Sequence, residues 1–347
     1  MKKILVVRFR QIGDAILTSV ICNTLKKSFP EARIDYLVYD FVAPLFLNHP
    51  YIDRVISLDK STRDNPFRYL KKVWEITRED YDIVIDVMST PKSEIFSWFS
   101  PKAKFRIGRV GKKKKLLRGR SYTHGITEPE NVKDKCDKFQ KLLKPLEDAG
   151  YNLSYDNNII IGLTSEEKET LKKRMEEAGI DFRKKVFACA INSRRPEKIY
   201  PVENMKKLIK QMLEKYSDLQ IIFFYSPDEK EFALKIHSEL DNHERIFSNI
   251  ETKSIRELGM LLSNCDFFFG NEGGPRHLAQ GVGIPSFAIF SPGSSKKDWL
   301  PWNNPTNLGI EPRDVGGDSY EDITPEMVME NIQTMIEKFV KKDEEIL

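Results

Sequence analysis

Three segments of the chain combine glycines, cations and carboxylates in ways that could bind anions or move a proton. The first is Gly270-Asn271-Glu272-Gly273-Gly274-Pro275-Arg276-His277, which joins the apolar run Phe267–Phe269 to a helical pattern. Proline suits the first helical position, where its missing N–H costs nothing, and the glycines leave the helix end unobstructed. The N–H groups of Gly273, Gly274, Arg276 and His277 can then bind phosphate, aided by the helix dipole. A carboxylate beside that site would repel phosphate, so Glu272 is assigned to the hydroxyls of an attached sugar. For the His277 side chain, a phosphate contact and packing against a sheet both remain open.

The second segment, Asn192-Ser193-Arg194-Arg195-Pro196-Glu197-Lys198-Ile199-Tyr200-Pro201, follows a predicted strand. Its hydroxyl, guanidinium and ammonium groups suit a diphosphate. Lys198 could neutralise charge growing on a departing phosphate and Ser193 could donate a hydrogen bond to it. A solvated basic loop is the plain alternative. The third, Arg8-Phe9-Arg10-Gln11-Ile12-Gly13-Asp14, runs from a strand into a helix, with Gly13 read as allowing the tight turn. Asp14 is either a helix cap or a carboxylate able to take the proton of an attacking hydroxyl. Only one glycine is present there, so the G-x-G-x-x-G cradle of a dinucleotide cofactor is absent. Glu229, after the predicted strand Ile221–Phe224, is a candidate for ribose hydroxyls, with a solvent-facing first-turn acid as its alternative.

Short apolar runs alternating with helical patterns call for parallel α/β units. The spacing predicts strands at Ile4–Phe9, Ile34–Val38, Val55–Leu58, Ile83–Val87 and Phe105–Ile107, and a helix over Ala15–Phe29 with one apolar face. No element is assigned between Leu58 and Ile83. A second run starts near residue 165 and repeats the pattern. The expected organisation is a first α/β domain over residues 1–160, a second over 161–324, and a last helix over 325–347 able to cross back to the first domain. Ligands of open α/β sheets bind outside the carboxyl ends of the strands, so the site is expected in a cleft between two facing domains.

Composition narrows the class. The 347 residues exceed one ordinary core and suit two. The N-terminal apolar run is broken by Arg8 and Arg10, too soon for an export signal, and no stretch reaches the length of a membrane-spanning helix. A cytoplasmic protein with at most peripheral membrane contact is expected. Cys22, Cys136, Cys189 and Cys265 are scattered, implying neither disulfides nor a metal site. The net charge of +4 is modest, but Arg109, Lys112, Lys113, Lys114, Lys115, Arg118 and Arg120 crowd one segment. That segment lacks the interleaved aromatics of a nucleic-acid binder and is assigned to an anionic acceptor.

Together, R-F-R-Q-I-G-D-A-I-L, S-R-R-P-E-K-I-Y-P-V-E-N and G-N-E-G-G-P-R-H-L-A resemble glycosyltransferase family nine, in the right order over almost the whole chain. The resemblance implies a GT-B fold of two Rossmann-like domains. It also implies an inverting, metal-independent heptosyltransferase that uses ADP-heptose to build the lipopolysaccharide inner core. Asp14 would then be the general base, and Ser193 and Lys198 would bind phosphate. Glu229 would contact ribose, and Glu272, Gly273, Gly274 and His277 would hold heptose and diphosphate. No cofactor is implied, and the acceptor would be an anionic, lipid-linked oligosaccharide at the cytoplasmic face of the inner membrane, met by Lys112–Lys115. The family often has Asp at the position of Glu272, and Thr or Ser at those of Ser193 and Gly273. These departures leave room for another nucleotide sugar or acceptor, or for a silent sugar-nucleotide binder, although the retained Asp14 and Lys198 argue against silence.

Overall fold

A computed structural model describes residues 2–111 and 121–340. The chain divides into two compact units, residues 1–162 and 163–347. The first holds one parallel sheet: β1 (Lys3–Val7), β2 (Arg33–Tyr39), β3 (Arg54–Leu58), β4 (Ile83–Asp86), β5 (Phe105–Arg109) and β6 (His124–Ile126). The second holds another: β7 (Lys185–Ala190), β8 (Leu219–Phe223), β9 (Ile246–Phe247), β10 (Phe267–Asn271), β11 (Ser286–Ile289) and β12 (Asn307–Ile310).

The spatial orders are β3-β2-β1-β4-β5-β6 and β12-β11-β10-β7-β8-β9, with parallel pairing throughout. Read from each unit's first strand, both are the doubly wound order, in which the chain leaves the first strand in opposite directions and opens a crevice between it and the fourth. The crevices fall between β1 and β4 and between β7 and β10, so the loops bearing Asp14, Lys198 and Glu272 all leave switch-point strands.

The central strands read as nearly continuous apolar runs because both of their faces are covered. In the first unit, helix Ile12–Ser28 is buried along Ala15–Leu25 on every side, Thr18, Ser19 and Asn23 included. The expectation of a single apolar face is corrected, because a second layer lies over this helix. Gln140 Nε2 donates to Val20 O and Thr24 Oγ1, and Asn23 Nδ2 donates to Asn158 O. On the sheet's other side, Tyr69, Val73 and Ile76 of helix Pro66–Thr77 and Phe96 of helix Pro91–Trp98 share a core with Leu5, Val7, Leu37 and Val84. Asn65 caps the former helix and Thr90 closes a capping box on the latter, each just before a proline.

In the second unit, Val328, Ile332, Met335 and Ile336 of helix Pro325–Phe339 join a core with Leu208 and Met212 of helix Val202–Lys215. The last helix therefore buries its apolar stripe in its own unit. All four cysteines are free and buried. Among the described residues no helix is long and apolar enough to cross a membrane.

Buried imidazoles give this fold an acid limit. His49 accepts a hydrogen bond from the Tyr51 N–H at 3.2 Å, and burial pushes its pKa from 6.5 down to about 4. Between those values the unfolded chain carries a proton that the folded chain does not, so stability falls as pH drops from 6.5 towards 4. One such group is worth at most about 3 kcal/mol across that window. His49→Asn, which keeps an acceptor for Tyr51, should flatten the decline in the first unit's melting temperature between neutral and mildly acidic buffer. An unchanged slope would place the acid sensitivity elsewhere.

Candidate active site

In the first unit the chain turns from β1 directly into a helix whose N-cap is Gln11 and whose first residue is Ile12. This start is earlier than expected, so Gly13 lies inside the first turn, and the positive-φ glycines among the described residues are elsewhere. The helix start carries no side-chain cap, so the Asp14 carboxylate is not used for one. Instead its Oδ1 accepts a hydrogen bond from Arg8 Nη2 at 2.6 Å. Arg8 is itself buried, donates to Val87 O at 3.3 Å, and lies 4.8 Å over the Phe139 ring.

Arg109, at the end of β5, approaches the same ring at 5.9 Å. Burial lowers its pKa; Glu128 opposes that shift and the Arg8 charge adds to it. Nε of each guanidinium is buried without a partner. Between them, at the end of β4, Asp86 is fully buried and accepts from the Met88 and Ser89 N–H groups and from Tyr122 Oη. Burial raises its pKa, against those hydrogen bonds. The end of the first sheet thus gathers two guanidinium groups near Asp14, whose carboxylate is partly exposed. Sequence reasoning used Arg8 only to break an apolar run and missed its pairing, which depends on Phe139 and Val87, both remote in sequence.

In the second unit the loop after β7 is pinned at its far end by Tyr200, whose N–H donates to Asn271 Oδ1 at 2.8 Å and whose hydroxyl donates to Ile323 O at 2.6 Å. This sets the short turn Pro196–Lys198 beside the end of β10. Lys198 Nζ lies 2.9 Å from Glu272 Oε2 and donates to Ser294 Oγ at 3.0 Å. Glu272 Oε1 accepts from the Ser291 N–H at 3.1 Å and from Ser291 Oγ at 2.8 Å. Loops after β7, β10 and β11 are therefore tied by one ion pair, with Lys198 20% exposed and Glu272 5%. Ser291 and Ser294 were not foreseen, since isolated serines carry no sequence signal.

The glycine-rich turn is shaped by close approach. Gly270 has φ +118°, and a Cβ there would lie 2.6 Å from Ala190 O. Gly273 has φ +154° and caps helix Gly274–Val282 without a side-chain hydrogen bond. That leaves the helix start to bind an anion through its first N–H groups. The His277 imidazole is buried 5.6 Å from the Trp299 ring, and burial, then the charges of Arg276 and Lys198, push its pKa well below 6.5. The ring is neutral at pH 7, so positive charge at this turn comes from Arg276 and Lys198.

Ser193 stands half-buried on the loop of Lys198, its Oγ 3.4 Å from the Arg195 N–H. Glu229 closes a capping box, with Oε2 accepting from Ser226 N–H at 2.9 Å and Ser226 Oγ at 2.7 Å. Lys112, Lys113, Lys114 and Lys115 lie outside the described residues. Among the described residues no cluster of three or more His, Cys, Asp or Glu side chains is arranged to hold a metal ion.

The model for glycosyltransferase family 9 (heptosyltransferase) matches residues 70–312, from before β4 through β12. This chain belongs to that family. As a family 9 glycosyltransferase it is similar to lipopolysaccharide heptosyltransferase 1 of Campylobacter coli, 24% identical over 297 residues covering 83% of each chain. The crystal structure of a family 9 glycosyl transferase from Veillonella parvula superposes with a TM-score of 0.81 at 20% identity, covering 97% of this chain and 98% of that one. The E. coli heptosyltransferase WaaC with ADP superposes with a TM-score of 0.68 at 16% identity, covering 97% and 99%. The fold is GT-B, and the chain is a glycosyltransferase.

Proposed function

We propose that this family 9 glycosyltransferase transfers heptose from ADP-heptose to an anionic, lipid-linked inner-core acceptor, with inversion and without a metal ion. The observation that carries the reading is the Lys198–Glu272 pair beside an uncapped helix start. It offers an ammonium and N–H groups to a diphosphate, and a carboxylate to a sugar hydroxyl, at the switch point of one sheet. The heptosyltransferase names of the relatives favour heptose, and the ADP of the WaaC structure favours adenine.

In this mechanism Asp14, oriented by Arg8, takes the proton of the attacking acceptor hydroxyl as that oxygen bonds to the anomeric carbon. The bond to the diphosphate oxygen breaks on the opposite face, and Lys198 with the N–H groups of the glycine-rich turn stabilises the charge left on it. Ser193 adds a hydrogen bond to phosphate and Glu229 one to ribose. The buried guanidinium groups of Arg8 and Arg109, each with an unmatched Nε–H, favour an acceptor that brings negative charge. The work would take place at the cytoplasmic face of the inner membrane.

The test is transfer from a panel of nucleotide sugars, all in excess EDTA, with thermal protection measured in parallel. ADP-heptose should give both the largest melting shift and the only efficient transfer, and the chelator should not reduce it. Preference for another nucleotide sugar would replace the donor. Loss of activity in EDTA, restored by magnesium or manganese, would replace the metal-free mechanism.

A further inference from the structure

The apolar side of helix Pro66–Thr77 is wider than the core uses. Tyr69, Val73 and Ile76 point inward, whereas Phe67, Leu70 and Trp74 form an outward stripe at spacings of three and four residues, with exposures of 85%, 46% and 53%. Helix Pro91–Trp98 packs alongside, its Phe96 ring 6.1 Å from that of Tyr69, and it ends in Trp98 and Phe99, 54% and 43% exposed. Monomeric soluble proteins rarely expose contiguous large aromatics without using them.

We propose that this face docks the first unit on an anionic bilayer surface. Two observations select that occupant. Residues 66–78 carry Arg68, Lys71, Lys72 and Arg78 against the single acid Glu75. The preceding acids are already engaged, Asp59 in capping Thr62 and Asp64 in pairing with Arg63. The Arg78 guanidinium also lies 4.5 Å over the Trp74 ring, so a cation and an indole sit at one level. Aromatic rings flanked by lysine and arginine stems are the composition that settles at the boundary between headgroups and acyl chains. A convex helix face, moreover, meets a plane more readily than it fills a partner's groove. This proposal involves none of Lys112–Lys115, and it uses the lipid-linked acceptor of the proposed function only as a reason to approach a membrane.

Flotation of the full chain tests it, with vesicles of phosphatidylethanolamine and phosphatidylglycerol and with phosphatidylcholine alone. The parent should float with the anionic vesicles at low salt, weakly with the zwitterionic ones, and less as salt rises. Phe67→Ser with Trp74→Ser should weaken binding at least about tenfold, and Lys71→Gln with Arg78→Gln should weaken it for anionic vesicles only. Both variants should keep the parent melting temperature and the parent rate on a water-soluble acceptor fragment, which separates failure of this surface from failure of the transferase reading. Equal flotation of parent and aromatic variant would overturn the proposal. So would a parent dimer in sedimentation that the aromatic variant dissociates, since the face would then join two copies of the chain.

Discussion

Asp14→Asn should reduce the kcat of sugar transfer by about 10²–10⁴-fold, the usual worth of a general base. Asparagine has nearly the same shape and still offers an oxygen to Arg8 Nη2, so the packing around Arg8 and Phe139 should stand. The capacity to accept a proton is lost, together with the charge paired with Arg8. The donor KM should stay near its parent value, because the groups assigned to the donor belong to the second unit. Steady-state kinetics with varied donor decide the matter. Parent-like kcat would reduce Asp14 to an ion-pair partner, and a raised donor KM with unchanged kcat would assign it to donor binding.

Lys198→Met should lower kcat by about 10²–10³-fold, the range seen when one preorganised group facing developing charge is removed. Methionine keeps much of the aliphatic stem while deleting the ammonium. Two consequences should appear together. The donor KM should rise, because the diphosphate loses its nearest side-chain cation. The ligand-free protein should lose about 1–3 kcal/mol, because buried Glu272 is left with only its bonds from Ser291. Denaturant midpoints measure the second effect independently of the chemistry. A variant with reduced stability but parent kcat would make Lys198 a structural clip between loops.

The two sheets were legible because their central strands are long apolar runs separated by helical spacing. The edges were not. β6 and β9 span three and two residues, and β12 contains a glycine, so none of them makes an apolar run. Helix Pro66–Thr77 was not assigned although its apolar residues at 67, 69, 70, 73, 74 and 76 fall on one side of a helical wheel, opposite Arg68, Lys71, Lys72 and Glu75. Its local signal was the Asn-Pro pair at positions 65–66, as Thr-Pro at 90–91 was for helix Pro91–Trp98, where a cap meets a proline. At the site, the glycine-rich turn, Lys198 and Asp14 could be singled out because glycines and charges at strand ends have local meaning. Their partners could not. The pairing of Lys198 with Glu272 joins loops more than seventy residues apart, and Arg8 meets Asp14 only because Val87 and Phe139 hold it there.

Helix Ile12–Ser28 is covered on every side from Ala15 to Leu25, and Asp14 stands immediately before that stretch. Local opening is cheapest where few buried contacts must be given up, at frayed ends and mobile loops. This helix has little such freedom, since its middle cannot separate from the sheet on one side or from Gln140 and Asn158 on the other without breaching the first unit's core. Warming should therefore not blur the carboxylate's position by degrees. Asp14 keeps its place until the unit as a whole gives way, and any activity that depends on it should be lost cooperatively rather than gradually.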